Sequence, residues 1–134
     1  MIRAAFALVL ALSVPACSQA PEGAVEVRAG SRAEVLSAAE LAALPQVEVE
    51  ASGRRFSGPR LRDALTAAGA PTGGDVEAVG ADGYTRTLAA AVVGRDDVVV
   101  ALGLPAGEGP LRLVVPGSPG LGVKQLTALR AAGQ

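Results

Sequence analysis

Side chains suited to acid-base, nucleophilic or metal chemistry are few among the 134 residues: one cysteine (Cys17), no histidine, one lysine (Lys124), eleven arginines and thirteen carboxylates. Without imidazole there is no Ser-His-Asp triad, no Cys-His pair and no histidine ligand or proton shuttle near neutral pH. A single cysteine allows neither an internal disulfide nor a CxxC redox or zinc site. Asp96 and Asp97 are adjacent and could offer oxygens to a hard cation such as calcium. Neighbouring residues on a strand point to opposite faces, however, and no further ligands follow at loop spacing, so the pair reads more simply as solvated charge ahead of Val98. Tyr84, directly after Asp82-Gly83, could line a pocket, but the simpler reading is a core plug with its hydroxyl at the rim. Arg60, Arg62 and Asp63 fall on the exposed side of a helix and read as ordinary surface residues.

The position of Cys17 gives it a different role. Arg3 supplies a short positive region, Ala4 to Leu12 an apolar stretch too short to span a bilayer, and Val14-Pro15-Ala16-Cys17 resembles the lipobox of bacterial lipoproteins. The expectation is a lipoprotein signal peptide over residues 1–16, with Cys17 lipidated and attached to a membrane through that lipid. An ordinary secretory signal cut after Ala16 or Ala20, with Cys17 incidental, stays open. Either route exports the protein, to the periplasmic side of the cell envelope. Residues 17–30 then form the lipidated cysteine and a flexible tether containing Pro21 and Gly23. Residues 31–134 form one folded domain, all that the length allows. A net charge of −1 with interspersed signs gives no footprint for nucleic acid.

The elements that must position the remaining candidates follow from periodicity. Ser37-Ala38-Ala39-Glu40 is a capping box and opens a short helix that Pro45 ends. Residues 46–51 alternate as a half-exposed strand, Ser52-Gly53 turns the chain, and Arg54 to Ser57 pairs back as a hairpin. A second helix starts at Gly58-Pro59, with Leu61, Ala64, Leu65 and Ala68 on one stripe and Gly69 at its end. Residues 75–79 and 84–88 alternate around the tight turn at Asp82-Gly83. Asp97 to Leu102 is a buried strand, Leu111 to Val115 another, and Gly/Pro loops follow both. Val123 to Ala131 is ambiguous between strand and helix. The sum is about six or seven strands with two short helices, an α+β domain with a mixed, mainly antiparallel sheet.

The order of these motifs resembles one known family. Glu40-Leu41-x-x-Leu44-Pro45, then Phe56-x-Gly58-x-x-Leu61-x-x-x-Leu65-x-x-x-Gly69, then Asp82-Gly83-Tyr84, then Pro110-Leu111-Arg112-Leu113-Val114-Val115-Pro116, then Gly120-x-x-Val123-Lys124-x-Leu126 are similar to the molybdopterin-binding domain of the sulfite oxidase family. The resemblance runs from about Ser31 to the C-terminus and is nearest to short exported forms of that domain. It implies a molybdopterin cofactor, a cysteine thiolate on molybdenum, and a segment like Gly120 to Lys124 that helps hold the pterin's phosphate.

Carried over residue by residue, the resemblance makes Lys124, Arg112, Gly120 and Gly122 the cofactor-binding candidates, with amides of the 117–122 loop beside them. Solvated surface charge is the plainer reading of Lys124 and Arg112. The sequence departs from the family at Gly122, where a basic residue is common, at Gln125, where a tryptophan is common, and in having no cysteine inside the domain. No catalytic residue and no metal ligand are therefore assigned, and no cofactor is expected although molybdopterin is what the resemblance implies. The expected function is that of a non-catalytic binding module in the cell envelope, with a periplasmic protein as partner. A molybdopterin-dependent oxidoreductase with an atypical site and a purely structural envelope lipoprotein remain as alternatives.

Overall fold

The computed structural model describes residues 23–104 and 109–131; the signal peptide and Cys17 expected from the sequence lie outside them. Nine strands and three short α-helices occur among the described residues. The strands are β1 (Ala24–Ala29), β2 (Arg32–Ser37), β3 (Val47–Ala51), β4 (Arg54–Gly58), β5 (Val76–Gly80), β6 (Thr85–Leu88), β7 (Val99–Ala101), β8 (Arg112–Val114) and β9 (Leu126–Ala131). The helices are α1 (Ala38–Ala42), α2 (Leu61–Ala67) and α3 (Ala90–Val93), and a 3₁₀ turn covers Pro119–Leu121. No helix among these residues is long and apolar enough to cross a membrane.

Five strands form one sheet in the order β2-β1-β9-β5-β6. All its pairings are antiparallel except β1 with β9, where Glu26 to Ala29 run parallel to Ala128 to Ala131. Alternation fixes the faces: Val25 and Val27 point inward beside Leu129 and Ala78, while Glu26 and Arg28 point out. The hairpins β3-β4 and β7-β8 are joined to each other, because Val100 N–H donates to the Pro59 carbonyl and Leu102 N–H to that of Ser57, both at 2.9 Å. Val123 and Leu113 exchange two backbone hydrogen bonds, and Leu126 N–H donates to the Leu111 carbonyl, so β8 is tied directly to the entry of β9. Leu41, Leu61, Leu65, Leu88, Leu111, Leu113 and Leu126 fill the space between, and Phe56, Val99, Ala101 and Val114 form a smaller cluster under the β3-β4 hairpin.

The α+β class, the mainly antiparallel sheet and both expected helices are present. At α1 the capping box is complete, Ser37 Oγ accepting from Glu40 N–H and Glu40 Oε1 accepting from Ser37 N–H. Several expectations are corrected. The tether does not reach residue 30, because the chain is already strand at Ala24: burying Val25 and Val27 completely outweighs the polar residues between them. Strand β2 has no clear alternation, being a sheet edge with four exposed residues in its first four positions. A third helix, α3, follows Ala89, and its N-terminal donor is satisfied from afar by Asp75 Oδ1, which accepts from Ala90 N–H at 3.1 Å. The ambiguous C-terminal segment is strand from Leu126. Tyr84 is no core plug, being 40% exposed.

Gly58 sits at a very close crossing, since a Cβ there would fall on the Val100 carbonyl oxygen where β4 passes β7. Gly53 is constrained differently: with Ser52 it forms the two-residue turn of β3-β4 at φ values of 53° and 78°, and a Cβ would meet nothing within 4 Å. Gly53→Ala should therefore cost about 1 kcal/mol of backbone strain. Gly58→Ala should cost roughly 3 kcal/mol or more, because the obstacle is backbone and cannot swing aside. Urea denaturation of both variants checks the order, and equal losses would refute the close crossing.

Candidate functional site

The residues singled out for cofactor binding all lie on or beside the segment from β8 to β9, and the fold divides them into two groups. Arg112, on β8, is half-buried, with its guanidinium 5.0 Å from the centre of the Phe56 ring; Arg54 stands 4.8 Å from the same ring. Stacking on the negative face of a ring holds a guanidinium in place as well as attracting it. Gly122 comes to the same spot, where Ser52, Phe56, Arg112 and Gly122 help to line a cavity of about 20 Å³.

Lys124 faces elsewhere. It is exposed, and with Asp82 and Tyr84 lines an open cleft of about 260 Å³ at the turn between β5 and β6. Gly120 belongs to this second side, its carbonyl accepting a 2.8 Å hydrogen bond from Arg86 Nε. The Arg86 guanidinium also lies 4.5 Å from the centre of the Tyr84 ring. Lys124 and Gly120 are thus brought near one hairpin, and Arg112 and Gly122 near another.

The loop that was to offer amides to an anion is spent on its own fold in part. Ser118 N–H donates to the Val115 carbonyl and Leu121 N–H to that of Ser118. Its first residue is held by a side chain that sequence reasoning missed: Arg95 donates from Nη2 to the Pro116 carbonyl at 2.8 Å. Arg95 also makes a two-pronged bond to Asp97, Nε to Oδ1 at 2.9 Å and Nη2 to Oδ2 at 2.8 Å. Those donated hydrogen bonds, opposed by some desolvation, hold the Asp97 carboxyl below the usual carboxylate range and lift Arg95 above its own. Asp96, meanwhile, receives Arg62 Nη2 at 2.5 Å, and Arg62 Nη1 donates to the Gly94 carbonyl at 2.6 Å. Arg60 reaches the Asp96 carbonyl through Nε at 3.2 Å and pairs with Asp63 at 3.7 Å. Asp96 and Asp97 are thus ion-paired and still exposed, 74% and 45% of their side chains facing solvent, so they remain solvated charge with Arg60 and Arg62 beside Asp96. An Arg-x-Asp spacing ahead of a buried strand was the visible signal for Arg95; the Pro116 acceptor, far along the chain, was not visible.

A family model described as "Oxidoreductase molybdopterin binding domain" matches residues 29–134. Among solved structures, the sulfane dehydrogenase SoxCD from Paracoccus pantotrophus is similar, with a TM-score of 0.67 and 22% sequence identity over 84% of this chain. This chain spans 40% of the length of that one, and the likeness concerns the fold. No curated protein matches the sequence.

The described residues do not fit a molybdenum centre held in the family's way. Molybdenum held in the family's way needs a soft thiolate, and no cysteine occurs among the described residues, nor any group of three or more histidine, cysteine or carboxylate side chains that could hold a metal. The place where Arg112 and Gly122 meet encloses about 20 Å³, against roughly 300 Å³ or more for ordinary small-molecule sites.

The Arg95–Asp97 pair has a pH signature. Because the folded-state pKa of Asp97 is lowered, its contribution to stability is complete above the unfolded carboxylate value of about 3.9 and is lost as pH falls through the lowered value. Both side chains are more than a third exposed, so solvent screening limits the effect to about 1 kcal/mol at most. Asp97→Asn should be less stable than the parent at neutral pH, with the gap closing in acid. Urea titrations across that range test it, and a gap independent of pH would show that the charge is not what matters.

Proposed function

Because the chain belongs to the oxidoreductase molybdopterin binding domain family, we propose that it is an exported, lipid-anchored member that uses the family's fold as a binding module in the cell envelope, without the family's metal chemistry. The observation that carries this reading is the place of its one sulfur nucleophile. Cys17 precedes the first strand, in a lipobox-like run after an apolar segment, and the domain from Ala24 onward has no thiolate to give. A cysteine acylated at the membrane cannot also be a metal ligand.

The family's cofactor would supply two-electron redox chemistry at molybdenum. What this chain's residues do instead is hold shape. Arg95 fixes the start of the 116–122 loop, Arg86 its middle and the Val123–Leu113 pair its end, while Arg54 and Arg112 are stacked on Phe56. Such a pinned loop beside two exposed or half-exposed basic groups, Lys124 and Arg86, suits recognition of a partner surface more than a turnover cycle. The partner in this reading is a periplasmic protein.

Two measurements test the proposal. Protein produced in a molybdenum-replete host should contain neither stoichiometric molybdenum nor a pterin, by elemental analysis and fluorescence; stoichiometric metal would instead establish an oxidoreductase with an atypical ligand. Cys17→Ser should move the protein from the membrane to the soluble fraction, and a variant that stays membrane-bound would remove the lipid anchor from the reading. A membrane-anchored form that captures no specific partner would favour a purely structural role.

A further inference from the structure

The outer edge of β2 faces no other strand among the described residues, and its backbone groups are in phase to receive one. Ala38 N–H donates to the Gly23 carbonyl in register with the β1-β2 pairing, so the backbone groups of Arg32, Glu34 and Leu36 point to β1 and those of Ala33 and Val35 point away. Ser37 N–H, next on the outer side, is taken by Glu40 Oε1. The open stretch therefore ends at Val35, which is 58% exposed. Arg32, Ala33 and Glu34 are exposed as well.

The charges on this edge favour one occupant. Arg32 and Glu34 lie on one face of the strand, and neither forms an ion pair with another described residue. An antiparallel neighbour must match outward-pointing residues with outward-pointing residues, so a twofold pairing of β2 with itself has only a few registers. With Ala33 opposite Ala33, each Arg32 stands against Glu34 of the other copy, in the closely spaced pairs where side chains interact most strongly. One step of slippage sets Glu34 against Glu34, and one step the other way sets Arg32 against Arg32; both are repulsive. The other outer strands lack this self-complementarity. The charges of β3 are Glu48 and Glu50, both negative, and β6 is tied to the 116–122 loop through Arg86.

We propose that β2 is the interface of a twofold dimer, the edge of one copy pairing antiparallel with the same edge of a second copy so that two five-stranded sheets become continuous. Ala33 of each copy exchanges backbone hydrogen bonds with Ala33 of the other, and Val35 pairs with Ser31. On one face of the joined sheet stand two Arg32–Glu34 pairs; on the other, Ala33 and Val35 of both copies form a short apolar stripe. The edge is short, so the dimer is a weak one, in the micromolar range or above. It requires neither lipidation of Cys17 nor the absence of a cofactor, and so goes beyond the function proposed above.

Sedimentation of the purified full chain carrying Cys17→Ser, in non-ionic detergent, reads the association in the absence of lipid. This parent should pass from monomer to dimer as its concentration rises. Arg32→Glu and Glu34→Arg should each weaken the dimer about tenfold or more, and combining them should restore it, because the exchange recreates both pairs. Cys17→Ser also leaves no other thiol, so a single introduced cysteine reads the register. Ala33→Cys should cross-link on oxidation, its two Cα atoms standing about 5.5 Å apart, whereas Val35→Cys, more than roughly 13 Å from its copy, should not. A parent that stays monomeric overturns the proposal, as do single reversals that leave the dimer intact or a double reversal no better than the singles. Cross-linking through Val35→Cys as efficient as that through Ala33→Cys overturns it too.

Discussion

The parallel pairing of β1 with β9 is the constraint on which the rest of the structure rests. It places strands from the two ends of the domain side by side in the middle of one sheet, with Val27 of β1 opposite Leu129 of β9 and both fully or nearly fully buried. Parallel neighbours cannot be joined by a tight turn, so everything between them must form the crossover. In this chain that crossover is most of the domain: β2, α1, both hairpins, α2, the β5-β6 pair and α3 all come between strand one and strand nine along the chain. Leu61, Leu65, Leu111 and Leu113 are buried because the crossover has to return over the sheet's inner face.

The same constraint explains why the 116–122 loop is so heavily tied. The chain leaves β8, which belongs to one hairpin, at Val114 and must enter β9, in the centre of the large sheet, at Leu126. Backbone exchange between Val123 and Leu113 spans the step, and the arginines at 86 and 95 hold the glycine- and proline-rich loop on each side of it. Glycines and prolines supply the bends; side chains borrowed from β6 and from the loop after α3 supply the fixation. The arrangement divides the candidate binding residues between two hairpins.

Much of this was legible in the chain. The capping box at Ser37 and Glu40, the Leu61–Leu65 stripe, the alternation at 46–51 and 75–79, and the Ser52-Gly53 turn are local signals, and each led to an element within a residue of where it pointed. What was not legible depended on partners distant in sequence. Ala90 needs the carboxylate of Asp75, β2 is defined by lying at an edge next to β1, and the short alternation Val25-Glu26-Val27 becomes a six-residue strand only through its pairing with β2 and β9. The candidate site shows the same division. The positions of Arg112 and Lys124 on neighbouring stretches were readable, but Gly120 to Lys124 run through a 3₁₀ turn and a connection rather than a strand, so their two-residue spacing fixes no common face, and only the fold shows that Phe56 takes one group and the β5-β6 turn the other.

The central place of β1 bears on how the domain carries load. Because β1 runs parallel to β9, the chain enters at one end of the sheet through Gly23 and reaches Ala131 at the other. A pull on the upstream segment acts along β1, which is bonded on one side to β2 and on the other to β9. The two rows of hydrogen bonds are then strained together, in shear, instead of being peeled one after another as they would be at a sheet edge. For a domain tugged from its N-terminal side, that makes the strand nearest the point of pull the most resistant to mechanical extraction.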